Sequence, residues 1–437
     1  MRASAVVMGV GLLLASAAAS AVPKIEQWTM ANGVRVYFVR TTELPLIQLR
    51  AVFDAAASRD PADKPGVASM TNDMLPQGAD GLDADKIASG FEDLGAEFGT
   101  SSARDMAIVE LRSLSDAKLL NPALDLFAKV VTKPTFPADA LERERASALV
   151  SLKHQEQSPQ AIAQKTFMQL IYGDHPYAHD PTGTTESVRA ITRADLIAHH
   201  ARYYVGSNAW LAIVGNATRA EAKSIAEHAL GGLPRGEAAP PLPAVASLKQ
   251  GKRENIEFPA QQTHVLIGHP AVARDDPDYF ALRVGNYTLG GGGLVSRLSE
   301  EVREKRGYSY SVYSYFQPMR ARGPFMLGLQ TRNAERDKAI AVARKVLDDF
   351  VAHGPTAQEL EAAKRYMTGS FPLRLDSNKK LADNLAFIGY YGLPLNYFDT
   401  FIQRVNAVTI DQIRTAFKRH VHPEDAVTVA VGGGGAG

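Results

Sequence analysis

The feature that most restricts how this chain can fold is an echo carried over a long distance. VRAITRADLI at 188–197 leads through Tyr203 and Tyr204 into the apolar run WLAIVG at 210–215, and VNAVTIDQI at 405–413 leads into VTVAVG at 427–432. Ile191 and Val408 stand 408 − 191 = 217 positions apart. In each copy a Thr precedes a short amphipathic pattern as a helix N-cap, and an apolar run of strand length closes the unit. A second echo pairs FPADALE at 136–142 with GPTAQELE at 354–361, where Leu141 and Leu360 are 360 − 141 = 219 apart. Unrelated segments that merely look alike would have no reason to share nearly one offset, so the sequence predicts two homologous halves. GLPRGEAAPPLP at 232–243, rich in Pro and Gly, reads as an extended connection between them. The expected division is a first half at 22–231, a linker at 232–250 and a second half at 251–437. A chain of 437 residues has room for each half to bury its own core.

Within each half the apolar pattern switches between periods of 2 and 3.6. Residues 33–39, 46–53 and 107–114 alternate like strands, and 66–75 reads as helix. The second half follows with strand patterns at 263–268, 308–316 and 325–330 and helices at 279–289 and 334–353. Strands and helices come in runs rather than in regular alternation. The expected class is therefore α+β, each half a mixed or antiparallel sheet covered by helices.

Lys and Arg (48) balance Asp and Glu (47) without a block of one sign, which gives no electrostatic footprint for nucleic acid or anionic lipid. The N-terminus differs from the rest. Arg2, an apolar run at 5–15 and small residues at 19–21 predict an export signal cleaved after Ala21 and a periplasmic mature protein, with a retained N-terminal anchor as the alternative. The chain has no cysteine, so disulfides, thiolate metal sites and a cysteine nucleophile are excluded. Any metal would have to be held by His, Asp or Glu. Among the histidines, His175 and His179 are four apart but flank Pro176, which argues against a shared helical face, and the adjacent His199 and His200 point to different sides of a helix.

The segment GVASMTNDML at 66–75 resembles the helix on which pitrilysin/insulinase-type (M16) zinc peptidases carry an inverted motif, H-x-x-E-H. In that motif two histidines four apart reach one zinc, and the Glu beside the bound water acts as general base. The matching positions here are Ser69, Asn72 and Asp73. Ser and Asn are poor ligands beside imidazole, Asn cannot take a proton, and one Asp does not make a three-ligand site. The family's third ligand, a Glu on a downstream helix, falls on or beside Ser151 in LERERASALVSLK at 141–153. Glu142 and Glu144 on that helix read as solvated charges.

The second half is similar to the substrate-binding half of bacterial members of the family, through NYTLGGGGLVSRL at 286–298 and VREKRGYSYSVYS at 302–314. There the resemblance implies that an Arg and a Tyr seven residues later hold the substrate backbone beside the zinc of an opposing half. The matching residues are Arg303 and Tyr310, Arg303 at a helix end and Tyr310 on the strand after Gly307. A guanidinium and a phenol can donate hydrogen bonds to the carbonyl oxygen of a peptide bond under attack. By spacing alone Arg303 reads as one member of a charged helix face in EEVREKR at 300–306, and only the surrounding motif reverses that reading. Tyr308, Tyr313 and Tyr315 read as packing aromatics. Gly290, Gly291, Gly292 and Gly293 lack the Gly-Lys-Ser/Thr of a phosphate loop and read as a flexible turn after a helix that lets backbone approach a neighbour or a peptide.

The resemblance covers nearly the whole chain from about residue 23. It implies a LuxS/MPP-like metallohydrolase fold and a non-catalytic, substrate-binding subunit that binds no cofactor itself. Its partner would be a catalytic subunit with an intact zinc motif and bound Zn2+, the two forming a heterodimer that degrades peptides. The other expectation is a structural or peptide-binding M16-like protein with no catalytic partner.

Overall fold

The computed structural model describes residues 24–433, so the export signal lies outside the described residues. Thirteen strands occur among the described residues: β1 Glu26–Thr29, β2 Arg35–Arg40, β3 Leu46–Phe53, β4 Gly78–Ala79, β5 Leu82–Asp83, β6 Glu97–Ser102 and β7 Ala107–Leu114; then β8 Ala209–Gly215, β9 Arg253–Ile256, β10 Gln262–Val272, β11 Ser309–Phe316, β12 Gly323–Arg332 and β13 Val427–Val431. β4 and β5 form a small ribbon. The rest build two sheets, β1-β2-β8-β3-β7-β6 and β11-β12-β10-β13-β9. In the first sheet β2 and β8 are parallel and the other pairs antiparallel; in the second only β13 and β9 are parallel. The mixed, helix-covered α+β architecture expected from the pattern is the one observed.

The echo is structural. β2-β8-β3-β7-β6 and β9-β13-β10-β12-β11 have the same order and the same single parallel pair. Thr192 and Thr409 each cap the helix before the central strand with a reciprocal capping box, through Asp195 and Gln412. The glycines that end those strands, Gly215 and Gly432, have φ of +150° and +149°, again 217 apart. A Cβ on Gly215 would lie 2.1 Å from the Leu46 carbonyl oxygen, and one on Gly432 would lie 2.7 Å from that of Gln262. Only glycine lets the neighbouring strand come that close.

The halves do not each keep a core to themselves, contrary to the expectation from length. The helix Pro159–Tyr172, started by Ser158 at its cap and Pro159 in its first turn, lies in the first half of the sequence yet packs on β10 and β13. It buries Phe167, Met168 and Ile171 against Leu266, Met326 and Val429. Reciprocally, Asn378–Tyr391, capped by Ser377, comes from the second half and packs on β2, β3 and β8. Its Tyr390 ring meets Trp210 edge-on at 5.0 Å, and its Gly389 lies against the Tyr37 ring. Each fully buried large apolar side chain contributes roughly 2 kcal/mol, so the three named residues of Pro159–Tyr172 alone hold on by about 6 kcal/mol.

Polar groups reinforce the junction. Arg59 grips the buried Asp54 with two 2.7 Å bonds, and Arg320 from the other half reaches Asp54 Oδ2 at 3.0 Å. Asp105 accepts from the Arg320 backbone N–H at 2.8 Å and from the Tyr177 hydroxyl at 2.6 Å. No helix among the described residues is long and apolar enough to cross a membrane.

Candidate functional site

The helix Val67–Met74 carries Ser69, Asn72 and Asp73. Its N-cap, Gly66, has no capping side chain, and Asp60 does that work from outside by accepting from the N–H groups of Gly66 (2.8 Å) and Ala68 (2.7 Å). Asn72 is fully buried. Its Nδ2 donates to the carbonyls of Ser101 (2.9 Å) on β6 and Ile108 (3.3 Å) on β7, and its Oδ1 accepts from the Tyr204 hydroxyl at 2.9 Å. Both amide hydrogens and the amide oxygen are therefore engaged in joining the helix to the sheet. At the position where the resemblance puts a general base, this chain has an internal clasp.

Asp73 is exposed, and its Oδ2 takes a long 3.5 Å bond from Ser69 Oγ. The surrounding protein, and secondly the Glu144 carboxylate, push its carboxyl up to about 6. Glu144 thus differs from its reading as a solvated helix charge: it is half-buried on Ala138–Glu156 and bears on Asp73, whereas Ser151, two turns further along the same helix, is exposed. A tetrahedral zinc site needs three protein ligands of the His or carboxylate kind. Ser69 and Ser151 offer hydroxyls, Asn72 is turned into the core, and what remains is the acid pair Asp73 and Glu144. These residues do not fit the metal.

Among the described residues, one place brings three His, Asp or Glu ligand atoms together, namely Asp276, Asp278 and His420. Sequence spacing gave no sign of it. The Arg419 guanidinium lies 2.7 Å from Asp278 Oδ2, the oxygen that also meets His420 Nε2 at 3.1 Å, so the cluster is satisfied as an ion-pair network. His199 and His200 do point apart, to the carbonyls of Ala55 and Val131. His175 turns to the backbone of Tyr177 and Pro243.

Arg303 and Tyr310 are brought together. Arg303 lies in a widened turn of helix, Ser299–Glu304, and Tyr310 on β11, an edge strand of the second sheet. Ser309 pairs with Thr331 and Ser311 with Gln330, so Tyr310 is the extra residue of a β-bulge. A bulge on an edge strand re-aims its side chain, and Tyr310 stands 82% exposed. The Arg303 guanidinium sits 4.8 Å from the centre of its ring. The nearby charges pair among themselves, Lys305 with Glu300 and Glu301 and Arg306 with Glu301, leaving Arg303 a single adjacent contact of 3.4 Å with Glu304. Tyr313 and Tyr315 stack on each other, ring centres 5.9 Å apart. Among the described residues no hydrogen bond or ion pair joins Arg303 or Tyr310 to the Val67–Met74 helix.

The glycine run is not the flexible turn expected. The helix Tyr279–Asn286 continues through Gly290 and Gly291 as a wide turn, Tyr287–Gly291. A Cβ on Gly290 would lie 2.4 Å from Ser314 Oγ and 2.7 Å from Leu298 Cδ1, so the helix packs directly on β11. The bend comes at Gly293, with φ +62° and open space around it, and it presents Leu294 and Val295 to solvent.

With this geometry in hand, comparison with known proteins is informative. Residues 42–185 match the family model described as insulinase (peptidase family M16), and residues 190–367 match the one described as peptidase M16 inactive domain. An uncharacterized zinc protease of Mycobacterium leprae is 30% identical over 397 residues, 88% of this chain and 86% of its own length. A Helicobacter pylori protein named non-peptidase homolog YmxG is 26% identical over 90% of both chains. The crystal structure of a peptidase M16 inactive domain from Pseudomonas fluorescens is 42% identical and superposes with a TM-score of 0.90, covering 93% of this chain and 98% of that one. A two-sheet fold whose counterpart of the zinc-motif helix carries Ser69, Asn72 and Asp73, matched along most of its length by these relatives, belongs to the peptidase M16 family.

Proposed function

We propose that this protein is the substrate-holding, non-catalytic subunit of a heterodimeric M16 zinc endopeptidase, inactive alone and exported to the periplasm. The observation that carries the reading is the pair Arg303 and Tyr310. A phenol 82% exposed on a bulged edge strand, under a guanidinium with one weak ion contact, makes no side-chain hydrogen bond among the described residues. Two such donors suit the oxygen of a peptide carbonyl as it gains negative charge. The unsuited side chains at Ser69, Asn72 and Asp73 support assigning the metal and the general base to a partner. The substrate would be a short or unfolded peptide, lying along the open edge of the second sheet with the glycine-led bend at 293–295 beside it.

The test is reconstitution with an M16 subunit that has an intact H-x-x-E-H motif, measured on a fluorogenic peptide. The mixture should cleave at least about a hundredfold faster than either chain alone, and Arg303→Ala or Tyr310→Phe should remove about tenfold to a thousandfold of that gain. Equal cleavage with and without this chain, or with either variant in it, would end the proposal. The name non-peptidase homolog given to the Helicobacter pylori relative favours a second reading, a peptide-binding protein without a catalytic partner. It predicts peptide binding by the isolated chain and no gain on mixing.

A further inference from the structure

Arg274 follows β10 and is 4% exposed. Its Nη2 donates to the Tyr397 hydroxyl at 2.8 Å, and its guanidinium lies over the rings of Tyr279 (3.9 Å) and Phe387 (4.9 Å). Its buried Nε has no acceptor. No carboxylate among the described residues pairs with it. A guanidinium stays charged at any ordinary pH, and burying one without a counter-ion is costly, only partly offset by aromatic faces.

Arg274 does not stand alone. It lines a cleft of about 300 Å³ together with Arg283 and Arg374, at the low end of the range for small-molecule sites. Arg283 donates to the Tyr279 hydroxyl at 2.9 Å, and neither it nor Arg374 has a carboxylate partner among the described residues. The one acidic group of the lining, Asp383, has its Oδ1 2.7 Å from Arg50 of the first sheet, without hydrogen-bond geometry, so one carboxylate stands against three guanidiniums. The lining is also aromatic: Phe371 and Phe401 stack at 4.4 Å, and the Arg283 and Arg374 guanidiniums lie 5.2 and 5.9 Å from the Phe401 ring. Three unpaired cations therefore face one small space bounded by apolar rings. The cleft lies between the helices Tyr279–Asn286, Asn378–Tyr391 and Tyr397–Ala407, and Arg303 and Tyr310 are not part of its lining.

We propose that this cleft binds a small carboxylate carried on an aromatic or branched apolar body. The acid would take the forks of Arg283 and Arg374, whose planar donors match a carboxylate, with the buried charge of Arg274 behind them, while the body lies on the phenylalanine rings. The size of the cleft limits the ligand to about the dimensions of one acylated amino acid.

Isothermal titration of the purified chain tests this with three probes: N-acetyl-L-phenylalanine, its neutral amide, and inorganic phosphate. The acid should saturate at millimolar concentration or below, and the amide and phosphate should each bind at least about tenfold more weakly. Arg283→Gln and Arg374→Gln, both at partly exposed positions, should each weaken the acid about tenfold with melting temperatures near the parent's. The proposal is overturned if the acid fails to saturate by about 10 mM, if the amide or phosphate matches it, or if both variants bind as the parent does.

Discussion

Asn72→Ala should weaken the fold without touching any exposed surface, and the size of the effect follows from three hydrogen bonds. The substitution removes two donors to the carbonyls of Ser101 and Ile108 and the acceptor of the Tyr204 hydroxyl. Strand carbonyls keep other partners, but the Tyr204 phenol is buried and cannot turn to water. Stranding it costs about 1–3 kcal/mol, and the small void adds about 1, for a total of about 3 kcal/mol. With an unfolding entropy of about 2.1 cal/mol/K per residue and about 400 folded residues, the melting temperature should fall by about 4 °C. Tyr204→Phe should cost about 1–2 kcal/mol by the same reasoning. The double variant should then be less damaging than the sum by about 1–2 kcal/mol, because the second change removes the group that the first left stranded. Asn72→Glu should be worse than Asn72→Ala, since it buries a carboxylate between two carbonyl oxygens, so restoring the family's base at this one position unsettles the fold rather than awakening activity. Calorimetry at one scan rate reads all four. Additive single costs, or Asn72→Ala within about 0.5 kcal/mol of the parent, would refute the account of this helix as clasped to the sheet.

Two further outcomes follow from the same region and its counterpart. Asp73 holds its proton better in the folded chain (about 6) than its ordinary value of 3.8, so its contribution to stability is lost as pH rises through about 6. Asp73→Asn should melt above the parent at pH 8 and match it near pH 4; a pH-independent gap would contradict the raised value. Gly290→Ala forces a Cβ against Ser314 and Leu298 and should cost about 1–3 kcal/mol, whereas Gly293→Ala meets open space and pays only for its positive φ, about 1 kcal/mol. Equal melting temperatures for the two alanine variants would show that the packing at Gly290 is not tight.

The repeat was legible because a capping Thr, an apolar strand and a terminal Gly each leave a local signature, and all three recur at 217 residues. β3 and β7 were legible to the residue, since apolar residues recur at every second position of each, although the other face of β3 is largely buried as well. β6 was not: EFGTSS carries little apolar pattern, and it is a strand because β7 offers it a ladder and because Asn72 holds the Ser101 carbonyl. The bulge at Tyr310 was hidden as well, because register is a property of two strands and Thr331 lies 21 residues beyond Tyr310. Glu144 looked solvated because a helix read alone does not say which charge its neighbour brings near. Arg274 gave the least warning. An arginine after a strand is ordinary in a sequence, and only its three-dimensional surroundings reveal that it has no anion.

The traded helices Pro159–Tyr172 and Asn378–Tyr391 decide where motion can occur. Drawing the two sheets apart would drag each helix off the surface it covers, so the two halves are expected to move together. A cut in the 232–250 segment should leave the two fragments travelling together through gel filtration. If the protein works with a partner chain as proposed, the opening that admits a peptide would lie at the joint between the two chains.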